Sequence, residues 1–164
     1  MNRSSFIRTL FLFLSILLFK PSSLIASVNN IRIGEKAPDF FLNGFNKNNP
    51  KKDKWSLKDF SGKWLILYFY PKDFSSGCTL QAKAFQDNLS KFKKLNSTIV
   101  GISADNEEEH ESFCTSAKLG YTLLSDTKGE ISKSYDSWLD PYSKRNTFII
   151  NPKGIVVYKW IGVR

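Results

Sequence analysis

The sequence predicts an α/β domain built on a mixed central sheet, and three observations carry that prediction. Residues 64–70 (Trp64-Leu65-Ile66-Leu67-Tyr68-Phe69-Tyr70) are apolar or aromatic without alternation, as in a strand buried on both faces. A stretch with apolar residues at helical spacing follows, and then a second short apolar run at 98–103. Near the end, two β-rich runs flank Asn151-Pro152-Lys153-Gly154, the pattern of a hairpin turn.

Taken in order, residues 28–63 read as a loop-rich approach with a polar Asn/Lys stretch at 43–54. The run at 64–70 is bounded by Gly62 and Pro71 and becomes the central strand. Leu80, Ala84, Phe85, Leu89 and Phe92 place one helix over 78–95. After the strand at 98–103, Asp105 or Asn106 caps a helix whose first turn, Glu107-Glu108-Glu109, suits the helix dipole. That helix runs through Phe113 and Cys114 to about Lys118, with Gly120 closing it. A third strand is expected at 121–124, a short helix at 128–135, and the hairpin at 146–150 and 155–160. This alternation, ending in a hairpin, makes a thioredoxin-like fold the natural candidate: a central mixed β-sheet flanked by helices.

Residues 1–27 read as a signal peptide. Arg3 and Arg8 precede the apolar run 10–19, Lys20-Pro21 ends it, and small residues near Ala26 and Ser27 offer a cleavage point. Ten residues make about 15 Å of helix, half of the roughly 30 Å hydrocarbon core, so no stable membrane span is expected. Export to the periplasm or the thylakoid lumen is the expected destination, and residues 28–164 form one domain.

Composition narrows the function classes. Of the formal charge of +9, three come from Arg3, Arg8 and Lys20 in the N-terminal segment and most of the rest from lysines scattered along the chain, with no aromatic-interleaved basic stripe, so nucleic acid is not an expected partner. The 14 Phe, 4 Trp and 6 Tyr are accounted for by a Phe-rich core and N-terminus. Two cysteines and one histidine exclude a disulfide scaffold and four-ligand zinc sites, and no metal or cofactor is expected. A structural disulfide, two inert thiols and a redox pair all remain open on composition alone.

Cys78 falls between the buried strand and the next helix, at a strand's carboxyl end and in a helix's first turn. Open α/β sheets bind ligands at such ends, and helix N-termini favour anions, so a thiolate nucleophile suits the place. A small buried residue filling the turn suits it as well.

The neighbouring residues resemble the peroxiredoxin active-site pattern, carried here by Pro71, Ser75 and Cys78. The stretch from Tyr68 to Thr79 is similar to the Q, or bacterioferritin-comigratory, subgroup. The likeness continues at Gly101-Ile102-Ser103, His110, Leu123-Leu124-Ser125-Asp126 and Arg145-Asn146-Thr147-Phe148, covering about residues 31–161. The resemblance implies a thiol peroxidase acting on hydrogen peroxide and organic hydroperoxides. In it Cys78 is the peroxidatic cysteine, Ser75 and Arg145 hold the peroxide, and Pro71 shields the thiolate. It further implies re-reduction by a thioredoxin-like donor; a monomer is expected. Cys114, 36 residues after Cys78, matches the version of the family whose resolving cysteine sits on the next helix. The position used by other members, five residues on, is Lys83. Two helices of this fold hold their cysteines too far apart to bridge directly, so the turn at Cys78 is expected to unwind first. Ser75 stands where the family often has Thr, and Gln81 where it often has Glu. Family members usually continue into a C-terminal helix, and residues 28–164 are expected to lack it. His110 is expected to be a polar surface or packing residue.

The alternatives are weaker. A Cys-x-x-Cys oxidoreductase would need cysteine at Gln81, and a Cys-x-x-x-Cys copper carrier would need it at Ala82. A redox-inactive thioredoxin-fold binding module is the remaining rival.

Overall fold

A computed structural model describes residues 31–162. The central strand, β3 (Trp64–Phe69), pairs in parallel with β4 (Ser97–Ser103), which pairs in parallel with β5 (Thr122–Ser125). On the other side β3 is antiparallel to β8 (Thr147–Ile150), and β8 to β9 (Val156–Trp160). Two further strands, β1 (Phe41–Phe45) and β2 (Lys54–Ser56), complete a seven-stranded mixed sheet of order β2-β1-β5-β4-β3-β8-β9. A small separate ribbon joins β6 (Trp138–Leu139) to β7 (Tyr142–Ser143).

The missing alternation at 64–70 has a direct cause. Leu65, Leu67 and Phe69 enter one core cluster, while Ile66, Tyr68 and Tyr70 enter a second on the opposite face. The second cluster is covered by three helices, α1 (Ser76–Asp87), α2 (Leu89–Lys94) and α3 (Glu107–Ser116). The short α4 (Glu130–Ser134) lies against the first, through Ile131 and the following Tyr135. No described helix is long and apolar enough to cross a membrane.

Three expectations are corrected. The approach segment is not mere loop: β1, β2 and a 3-10 turn (Leu57–Phe60) arise there. Residues 78–95 form two helices, because the chain breaks at Asn88 (φ −100°, ψ 4°). The helix carrying Cys114 is closed not by Gly120 but by Lys118, which takes the left-handed conformation (φ 55°) while Leu119 N donates to Cys114 O at 2.9 Å. The ribbon of β6 and β7 had no expectation at all. The signal-peptide residues 1–27 lie outside the described residues.

Candidate active site

Cys78 is the third residue of α1, so its N–H is among those that have no acceptor within the helix. Ser75 stands at the N-cap, yet its hydroxyl caps nothing. Instead Oγ lies 2.7 Å from Cys78 Sγ, with Lys72 O at 3.2 Å as its alternative acceptor. Arg145 reaches the same sulfur from the residue pair that leads into β8, its Nη2 donating at 3.1 Å. Asn146 fixes this approach: its carbonyl accepts from Phe69 N at 2.8 Å, tying the segment to the end of β3, and it is buried. The other arm of the guanidinium, Nη1, donates to Gln81 Oε1 at 3.1 Å, so the amide takes up the guanidinium one turn along α1 from the sulfur.

Gly77 belongs to this arrangement, though no role was expected for it. A Cβ there would come within 3.0 Å of Arg145 Nη2. The missing side chain is what lets the guanidinium approach the helix start. Pro71 is half-buried just beyond β3, two residues past Phe69.

Cys114 is fully buried on α3 and belongs to the same apolar cluster as Cys78. Both thiols are free. Burial first, and the Asp73 carboxylate second, push the Cys114 thiol up to about 12, so it stays protonated at neutral pH in this conformation.

The sequence reading missed a buried polar network beside these thiols. Asp73, in the loop before α1, accepts from Tyr70 Oη at 2.7 Å and from His110 Nδ1 at 2.8 Å. Its own N–H donates to Asp105 Oδ2 at 2.9 Å, and Ser103 Oγ donates to that same oxygen at 2.6 Å. His110 is therefore no surface residue: it is fully buried on α3 and bound to the Cys78 loop. Ligand atoms of Asp73, Asp105 and His110 lie within 4.8 Å of one another, a spacing open to a cation, but the hydrogen bonds above already engage both carboxylates and Nδ1. The signal in the sequence was the Asp in the loop and the His four residues before Cys114, on one helix face.

A cysteine at a helix start, faced by a hydroxyl and a guanidinium at the carboxyl end of a central strand, defines a thioredoxin-fold protein built for thiol chemistry. Residues 33–159 match the AhpC/TSA family. Peroxiredoxin Bcp of Bacillus subtilis (strain 168) is 34% identical over 142 residues, covering 82% of this chain and 87% of that protein. The chloroplastic peroxiredoxin Q of Populus jackii is 38% identical over 138 residues, covering 82% of this chain and 61% of that one. Among solved structures, a cysteine-to-serine mutant of Xylella fastidiosa PrxQ superposes with a TM-score of 0.74 at 28% identity, covering 82% and 88% of the two chains. The chain belongs to the AhpC/TSA family and is a thiol peroxidase of the peroxiredoxin kind. The relatives named here are all peroxiredoxins, and none speaks for the redox-inactive binding module.

Proposed function

We propose that Cys78 is the peroxidatic cysteine and Cys114 the resolving one, acting on hydrogen peroxide and organic hydroperoxides. The observation that carries this reading is the convergence of Ser75 Oγ and Arg145 Nη2 on Cys78 Sγ, at 2.7 and 3.1 Å. The sulfur attacks one peroxide oxygen; an S–O bond forms and the O–O bond breaks. The departing alkoxide or hydroxide takes a proton, leaving Cys78 as sulfenic acid. Arg145, the Ser75 hydroxyl and the first-turn N–H groups are the donors for the charge that develops on the two oxygens. Pro71 shields the sulfur from bulk water.

Cys114 then loses its proton and attacks the Cys78 sulfur. The S–S bond forms as hydroxide leaves, and that hydroxide with the released proton makes water. A buried thiol near 12 is a poor nucleophile, so the step needs the first turn of α1 to unwind and expose Cys114. A thioredoxin-like dithiol returns the pair to the reduced state. The protein works as a monomer, and residues 1–27 direct its export.

The test is to add one equivalent of hydrogen peroxide to the reduced chain, count thiols and map disulfides by mass spectrometry. Loss of both thiols to an intramolecular Cys78–Cys114 bond is expected. Cys114→Ser should stop at sulfenic or sulfinic Cys78. Thiols that survive micromolar peroxide would overturn the assignment of Cys78.

A further inference from the structure

Two consecutive residues of the Cys78 loop are fastened to the helix that carries Cys114. Asp73 is bound to His110, and the next residue, Phe74, sets its ring edge-on against Phe113, centroids 5.1 Å apart and planes at 64°. His110 lies one turn before Cys114, and Phe113 immediately precedes it. Phe74 is held there against its own preferences. Its backbone is left-handed (φ 60°), a costly conformation for a large side chain, and the residue is 54% exposed. An exposed phenylalanine in a strained conformation, aimed at the neighbour of the second thiol, calls for a reason that core packing does not supply.

We propose that Asp73 and Phe74 act as a staple between the two cysteine segments: the chain unwinds only beyond residue 74, and a four-residue tether swings Cys78 onto Cys114. This rests on the resolving role assigned to Cys114 above. Four extended residues reach at most about 14 Å. Without the staple the loose segment begins after Tyr70, the last buried residue of the strand run, and is eight residues long. The encounter frequency of a tethered group falls roughly as the −3/2 power of tether length, so doubling the tether costs about threefold. Asp73, Phe74 and His110 are then positioning residues that touch neither peroxide nor sulfur. They govern the second step and leave the first alone.

The experiment is rapid quenching of the full chain after one equivalent of hydrogen peroxide. Mass spectrometry then follows sulfenic Cys78 and the Cys78–Cys114 disulfide separately. His110→Ala/Phe74→Ala, which unfastens both residues and keeps the Asp73 carboxylate that acts on the Cys114 thiol, should form sulfenic acid within about twofold of the unmodified rate and close the disulfide about threefold more slowly. Its sulfinic share in excess peroxide should rise accordingly. The single Phe74→Ala, made at a residue more than half exposed and leaving the fold intact, should slow closure in the same direction by less. Phe74→Tyr should restore it. Closure at the unmodified rate in both variants would overturn the staple, and faster closure would show a brake in its place. An unmodified chain that forms no Cys78–Cys114 bond would overturn the resolving role and this inference together.

Discussion

Cys78 and Cys114 share one apolar cluster on one face of the sheet, at 1% and 0% exposure, and differ in what faces them. A hydroxyl and a guanidinium point at the first sulfur; the charge that acts on the second is the Asp73 carboxylate. Burial alone therefore does not distinguish the two thiols. Hydrogen-bond donors face one sulfur, and desolvation beside a carboxylate holds the proton on the other. The two sites are also linked, since Asp73 belongs to the loop of the first cysteine and presses on the second.

The contrast is broken most directly by alkylation. A thiol at about 12 instead of its usual 9.0 has about 10³-fold less thiolate at neutral pH. Iodoacetamide should modify Cys114 of the reduced native chain about 10³-fold more slowly than the same residue in denaturant, with sites counted by peptide mass. Labelling within tenfold of the denatured rate would mean that Cys114 is not silenced by the fold.

Next in size is the effect of removing the donor. Arg145→Met keeps the length of the side chain but empties the position 3.1 Å from Cys78 Sγ. The second-order rate with hydrogen peroxide should fall by about 10²-fold, the usual cost of losing one such donor. A rate within threefold of the unmodified protein would assign the stabilisation to Ser75 and the helix start instead.

How much of this the sequence disclosed follows from how local each signal is. The double-faced strand at 64–70, the helix start at Cys78 and the cap at Asn106 are written in consecutive residues, and they stand where expected. Strand β1 is not so written. Its Phe41-Leu42-Asn43-Gly44-Phe45 has no strand pattern, and it exists because it pairs with β2 and β5, where a Cβ on Gly44 would meet Leu123 O at 2.3 Å. Ser75 and Arg145 were found through family likeness, since 70 positions separate two groups that meet on one sulfur. The Asp73–His110 bond spans 37 positions and had no such guide; a lone histidine on a helix reads as surface or packing, and only the loop folded over it decides for packing.

The smallest effect sharpens the comparison through stability rather than rate. The folded state holds the Cys114 thiol at about 12, above its usual 9.0, so the stability it contributes is fully present below pH 9. As pH rises from 9 towards 12, the unfolded chain releases this proton and the folded chain keeps it, and the contribution is lost. At pH 10 the loss amounts to about 1 kcal/mol from this one group. Buried tyrosines move the same way: burial raises Tyr68, Tyr70, Tyr121 and Tyr135, with Tyr68 and Tyr121 sharing a hydrogen bond of 3.0 Å. The shifts of Tyr70 and Tyr135 owe nothing to Cys114, so their share cancels when the variant's own loss between pH 7 and 10 is subtracted from that of the unmodified chain; at Tyr68 and Tyr121, where burial dominates and Cys114 is a lesser cause, the main part cancels as well. Denaturant titrations at the two pH values should show Cys114→Ala losing about 1 kcal/mol less. An equal loss in both would mean that the Cys114 proton is not held by the fold, and the electrostatic difference between the two thiols would then rest on Cys78 alone.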